Sequence, residues 1–191
     1  MNEHFRQLAD LYGQMESAYQ TVASVLDFSC DGCSDNCCDS YFLHHTYIEW
    51  AYLWEGLGQL EQDKKELYQK RAQDYVSRSQ QALAKSERPM IMCPVNDNGL
   101  CGLYHNRLLI CRLHGVPSSI TMPNARSKTF PGCFRCQEII QDKKNVTTMD
   151  RTRFFREMVL LEQSFMENQR PGLPRVKMTL AEMLIKEPFS R

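Results

Sequence analysis

Residues 41–87, YFLHHTYIEWAYLWEGLGQLEQDKKELYQKRAQDYVSRSQQALAKSE, contain no proline and little that opposes a helix. One straight helix of that span would run roughly 70 Å at about 1.5 Å per residue. A compact chain of 191 residues has a radius of gyration of only about 16 Å. The stretch is therefore expected to break, and Gly56-Leu57-Gly58 is the natural place. Two helices follow from this. One is aromatic, carrying Tyr41, Phe42, Tyr47, Ile48, Trp50, Tyr52, Leu53 and Trp54, and reads as core. The other, charged, runs from Leu60 to Ala84 and reads as a solvated flank.

Helical patterning continues to either side. Upstream, Phe5, Leu8, Leu11, Tyr12, Met15, Tyr19, Val22, Val25 and Leu26 recur at steps of three and four, which predicts an N-terminal helix within residues 1–27. Downstream, residues 148–187 predict two more helices. Asp150 can cap one carrying Phe154, Phe155, Met158, Leu161 and Phe165, stopped at Arg170-Pro171-Gly172. Thr179-Leu-Ala-Glu182 has the capping-box pattern for a short last helix that ends before Pro188. The expected fold class is mostly α, a single domain over residues 1–191, built around a loop-rich core ligated by cysteines.

Two stretches break the helical rhythm. Residues 28–40 carry Asp, Gly, Ser and Asn, and Arg88 to Pro131 carries prolines at 89, 94, 117, 123 and 131 with glycines at 99, 102 and 115. Both read as loops, with room for a helical turn or two at Tyr104–Leu113. All nine cysteines fall in these stretches or just beyond: 30, 33, 37, 38, 93, 101, 111, 133 and 136. A loop-rich stretch with few apolar clusters needs something to order it, and bound metal supplies that energy in small metal-dependent folds.

Composition narrows the classes of function. Lys plus Arg and Asp plus Glu number 23 each, so the chain has no overall basic character to recruit nucleic acid or an anionic membrane. The N-terminus, Met-Asn-Glu-His-Phe-Arg-Gln, lacks the apolar centre of a secretion signal, and no later run has the length of a spanning helix. The expected compartment is a reducing cytoplasm, where thiolates persist as metal ligands and structural disulfides are rare.

Spacing favours metal over scattered core cysteines, because six of the nine lie within three residues of another. Cys30-Asp-Gly-Cys33 is a C-x2-C pair on a tight turn, and Cys37-Cys38 completes four thiols in nine residues. Adjacent cysteines point apart, so Cys37 and Cys38 suit two metal positions, or one site completed by a distant thiol. The distant group is Cys93-Pro94, Cys101 and Cys111, followed by the C-x2-C pair Cys133-Phe-Arg-Cys136. Arg107 and Arg112 flank Cys111. Their charge would favour thiolate and could donate hydrogen bonds to a cluster sulfur, or they lock the loop through backbone carbonyls or a carboxylate. His44 and His45, which begin the aromatic helix, Glu49 four or five residues further along that same helix, and His105 and His114 are secondary candidates, since thiols are plentiful.

These motifs resemble the YkgJ-type cysteine-cluster family, a family of zinc- or iron-chelating domains. Its pattern looks like C-x2-C-x2-C-C, then C-P…C, then Y-x-x-R-P-x-x-C-R and one further cysteine. Cys30, Cys33, Cys37, Cys38, Cys93, Pro94, Cys101, Tyr104, Arg107, Cys111 and Arg112 match it over about Cys30 to Cys136. Ser34-Asp35-Asn36 is one residue longer than the family's spacer, and Leu108 stands where the family has proline. Either Cys133 or Cys136 takes the downstream place.

The resemblance implies a metal-binding protein, with an iron–sulfur cluster (4Fe-4S) or zinc as cofactor, and the leading expectation is electron transfer, alone or within an oxidoreductase. A redox or protein partner would then be needed. The alternatives are a zinc-stabilised protein-interaction module and a metal-dependent modifying enzyme, such as the flagellin lysine methylases that one branch of the family resembles.

Overall fold

The computed structural model describes residues 2–30, 37–167 and 172–189. In chain order these form α1 (Glu3–Leu26), α2 (Tyr47–Gly58), α3 (Gln62–Ala84), β1 (Asn96–Asp97), β2 (Leu100–Cys101), α4 (Leu109–Leu113), β3 (Ser118–Thr121), β4 (Ser127–Phe130), α5 (Phe134–Ile140), β5 (Met149–Asp150), α6 (Thr152–Glu167) and α7 (Leu180–Ile185). Short 3-10 turns lie at Cys37–Asp39 and Tyr104–Asn106. The fold is mostly α, as expected, but the chain divides into two compact units. Unit 1 comprises Met1–Asp35 and Leu109–Glu167, and unit 2 comprises Asn36–Leu108 and Asn168–Arg191.

Unit 1 is organised on α1. Asn2 caps its start by accepting from the His4 amide at 3.0 Å. At its end Asp27 turns left-handed at φ 56°, and Phe28 N–H closes back on the Ala23 carbonyl at 2.9 Å. The stripe Phe5, Leu8, Leu11, Tyr12, Met15, Val22 and Leu26 is buried as its periodicity requires, whereas Val25 stays 61% exposed. α6 buries Phe154, Met158, Leu161 and Phe165 and packs along α1, with Phe5 and Phe165 ring centroids 6.3 Å apart. Its start is held as the sequence suggested: Asp150 Oδ1 accepts from Thr152 N–H at 2.8 Å. Arg170 and Pro171, the expected stop, lie outside the described residues. The three-stranded sheet, order β4-β3-β5, was not anticipated; β3 pairs antiparallel with β4 and parallel with β5.

Unit 2 packs α2, α3 and α7 together. The break between α2 and α3 falls at Gly58, within the expected glycine pair. α7 carries the full capping box: Glu182 N–H donates to Thr179 Oγ1 at 3.2 Å, and Thr179 N–H to Glu182 Oε2 at 2.7 Å. The indoles of Trp50 and Trp54 both donate to the Met183 carbonyl, at 2.9 and 2.7 Å, satisfying an acceptor that the end of α7 leaves open.

Two expectations change here. α3 is no solvated flank: it buries Tyr68, Ala72, Tyr75 and Ser79 and packs against α7. The aromatic helix starts at Tyr47 and not Tyr41, because His44 lies in extended backbone, bridging Met178 through His44 N–H to Met178 O (2.7 Å) and the reverse bond (3.2 Å). Among the described residues no helix is long and apolar enough to cross a membrane.

Candidate thiol sites

The unit boundary cuts both cysteine motifs. Cys30 belongs to unit 1, while Cys37 and Cys38 belong to unit 2; the Tyr104…Arg107 half of the second string lies in unit 2 and Cys111-Arg112 in unit 1. Cys33 lies outside the described residues. None of the eight described cysteines is in a disulfide.

In unit 2, backbone bonds gather Cys38, Cys93 and Cys101. Cys93 N–H donates to the Cys38 carbonyl at 2.9 Å. Three residues on, β1 and β2 form a two-residue hairpin that pairs Asn96 with Cys101, and Gly102 N–H returns to the Val95 carbonyl at 2.8 Å. Asn98 and Gly99 make its turn at φ 52° and 93°, the positive values that an Asn-Gly hairpin turn requires. That dipeptide was the signal by which the sequence could have revealed the hairpin.

Asp97 fastens the hairpin to α3. It accepts from Tyr68 Oη–H at 2.5 Å and pairs with Lys64 at 2.6 Å and Arg71 at 2.9 Å. Burial alone would push the Asp97 carboxyl up, but the hydrogen bonds from Lys64, Tyr68 and Arg71 outweigh it and bring it down to about 2. No local pattern in the sequence singles out Asp97. Gly102 is needed beside it, because a Cβ there would collide with the Tyr68 hydroxyl.

In unit 1, Tyr19 and two glycines bring Cys30 towards Cys133 and Cys136. Tyr19 Oη lies 3.9 Å from Cys30 Sγ, and the same hydroxyl packs on Gly115. The Gly115 carbonyl accepts from Cys133 N–H at 2.9 Å. Gly132, at φ +90°, lets the two backbones meet: a Cβ there would lie 2.5 Å from the Gly115 oxygen. Cys133 then stands at the N-terminus of α5, and Cys136, in its first turn, is fully buried. Cys111 lies half-exposed on α4, which packs on α1.

The thiols in each set feel one another. Burial pushes Cys93 up to about 12, and the neighbouring Cys38 and Cys101 add to the rise. Burial likewise pushes Cys136 up to about 11, with Cys133 and then Cys30 raising it further against the opposing charge of Lys143. Each set is thus a cluster in which further negative charge is disfavoured unless a cation compensates. Among the described residues no three Cys, His, Asp or Glu side chains converge closely enough to hold a metal ion. The donor chemistry fits zinc or iron–sulfur. The backbone brings these cysteines into two sets without forming such a group among the described residues.

The other predicted residues take varied places. The Arg107 guanidinium lies over the Tyr104 ring, 4.3 Å from its centroid, and Arg112, buried, lies 4.0 Å from that of Tyr12. Both arginines therefore stack on aromatic faces. His44 is buried and neutral, held down to about 3 by burial and then by His45. His45 Nδ1 lies 3.2 Å from the Val176 carbonyl. His105 sits edge-on to Tyr104 at 5.9 Å, and His114 is half-exposed. Glu49 is buried at the start of α2, where it accepts from Thr46 Oγ1–H at 2.7 Å.

Compared with known proteins, the chain matches no family model, no curated protein and no solved structure. The YkgJ-type resemblance thus rests on the motif residues themselves.

Proposed function

We propose that this chain is a thiolate metal-binding protein, carrying an iron–sulfur cluster and acting in electron transfer or as the cluster-bearing part of an oxidoreductase. The observation that supports this reading is how the backbone gathers cysteines: Cys93 N–H bonds the Cys38 carbonyl beside the hairpin that bears Cys101, and Cys133 N–H bonds the Gly115 carbonyl beside the Tyr19–Cys30 contact. Thiols that raise one another have every electrostatic reason to accept a thiophilic cation. The resemblance of their spacing to YkgJ-type domains points the same way.

A bound cluster would supply one-electron transfer. The chain's own contribution is to hold the thiolates. Asp97, through Tyr68, Lys64 and Arg71, fixes the hairpin bearing Cys101. Gly115 and Gly132 fix the approach to Cys133. Arg112 places a positive charge next in sequence to Cys111 while its guanidinium stacks on Tyr12.

Purification without oxygen, followed by iron, zinc and acid-labile sulfide analysis, tests the reading. Brown protein containing iron and sulfide is expected. Colourless protein with stoichiometric zinc would overturn the redox role and favour a zinc-ordered interaction module. Protein that takes up neither would overturn metal binding altogether.

A further inference from the structure

The C-x2-C pair of unit 1 has a geometry that needs no third donor. Cys133 is the N-cap of α5 and Cys136 lies in its first turn, where Gln137 N–H donates to the Cys133 carbonyl at 2.9 Å. Residues three apart on a helical turn have Cα atoms about 5 Å apart, within the roughly 4.4–6.8 Å that a disulfide spans. The two cysteines differ in access: Cys133 is half-buried and Cys136 is fully buried. Between them Phe134 stands 73% exposed, a large apolar side chain in solvent next to the accessible thiol.

We infer that Cys133 and Cys136 are a thiol–disulfide exchange pair, in which Cys133 attacks a disulfide-bonded substrate and Cys136 resolves the mixed disulfide. Two thiols suffice for this chemistry, which draws on no metal and on no residue of unit 2. The exchange runs in two displacements. Cys133 gives its proton to solvent and its Sγ attacks one sulfur of the substrate disulfide. The new S–S bond forms as the substrate's own breaks, and the departing sulfur leaves as a thiolate that is protonated by solvent. Cys136 Sγ then attacks Cys133 Sγ. The protein disulfide forms, the mixed disulfide breaks, and the Cys136 proton passes to the second departing sulfur. The pair has lost two electrons and two protons, and the substrate has gained them as two thiols.

Burial suits Cys136 to the second step alone, because a neighbour one turn away can reach it and a solvent-borne substrate cannot. The surrounding backbone holds the pair in place. Gly132, at φ +90°, lets Cys133 N–H reach the Gly115 carbonyl at 2.9 Å, and Gln137 Nε2 donates to the Gly132 carbonyl at 2.9 Å. Beyond α5, Lys143 Nζ donates to the Leu26 carbonyl at 3.0 Å. Thiols already fixed one turn apart lose little chain entropy on joining, which favours the intramolecular displacement over attack by another molecule.

The test incubates the full-length, reduced protein with glutathione disulfide in the presence of a chelator. Remaining thiols are then alkylated, and disulfides and glutathione adducts are mapped by mass spectrometry. A Cys133–Cys136 disulfide is expected in the unaltered protein, and reduced glutathione should return it to the dithiol. Cys136→Ala should stop the exchange halfway and raise the glutathione held on Cys133 by about ten-fold or more. Cys133→Ala should leave Cys136 unmodified. Circular dichroism checks that each variant folds, and if Cys136→Ala does not, the pairing mapped in the unaltered protein decides. Glutathione retained on Cys133 of the unaltered protein, or a disulfide from Cys133 to Cys30 in place of Cys136, would overturn the assignment. Metal and sulfide content is measured separately, so failure here leaves the metal-binding reading standing.

Discussion

The cysteine loops of unit 1 are held by backbone that comes too close for a side chain, whereas those of unit 2 are held by a charged aspartate. Around Cys133, Gly132 and Gly115 let two chain segments touch, and the contact is steric. Around Cys101, Asp97 is ringed by Tyr68, Lys64 and Arg71, and the contact is electrostatic. A steric anchor is indifferent to salt and pH but tolerates no added atom. An ionic one tolerates substitution at modest cost and weakens as its charges are screened or neutralised. The same thiol chemistry is thus mounted in two ways, and the two mounts should fail under different insults.

The sharpest way to break this contrast is to add one methyl group to each mount. Gly132→Ala places a Cβ against the Gly115 oxygen in a backbone conformation that disfavours any L side chain. A loss of about 3 kcal/mol or more is expected from urea unfolding. Gly99→Ala, at a similar positive φ in the unit 2 hairpin turn, should cost only about 1 kcal/mol. Equal losses would show that the Gly132 contact is ordinary turn strain and no steric mount.

A second measurement concerns acid. Burial holds His44 of unit 2 down to about 3, and its Nδ1 is buried without a hydrogen-bond partner. Unfolding lets the ring return to its ordinary value near 6.5. The folded state is then the poorer proton binder, so the stabilisation is complete above about 6.5 and is lost as pH falls toward about 3. Between pH 7 and pH 5 this amounts to about 2 kcal/mol. His44→Leu should remove that component of the pH slope and be the more stable protein at pH 5. An unchanged slope in the variant would mean that His44 takes up its proton in the folded state.

The contrast between the mounts also marks how much the sequence revealed. Helices with a clear stripe or cap were legible: α1 from its apolar spacing, α6 from Asp150 and its phenylalanines, α7 from Thr179 and Glu182, and the break at Gly56-Leu57-Gly58. Such signals are local, and three or four neighbouring residues decide them. The sheet elements were missed because their strands are two to four residues long and carry no alternating pattern. His44 was placed on a helix because propensity cannot foresee the bridge to Met178, 134 residues away. The candidate cysteines were legible as a set, but their division was not. Which of them face one another depends on where the chain passes between units, and that is decided by the packing of α1 with α6 and of α3 with α7.

The smallest effect tests the ionic mount directly. Asp97→Asn keeps an oxygen to accept from Tyr68 but removes the charge that Lys64 and Arg71 neutralise. Those cations are part-exposed, so the loss should stay below about 1 kcal/mol. The carboxylate's own stabilisation is complete above about 4 and is lost as pH falls toward about 2, so neutral pH shows it in full. A thermal melt would barely register this, but thiol alkylation resolved site by site should. If the hairpin opens more often, Cys93 and Cys101 should react up to about five-fold faster, the factor that 1 kcal/mol allows. Cys133 should keep its rate, because nothing in its glycine contact depends on charge. High salt applied to the unaltered protein should shift the same two sites in the same direction and by less, since screening weakens the pairs without removing them. An equal acceleration at Cys133 would mean that the two mounts answer to one cause, and the distinction between them would be lost.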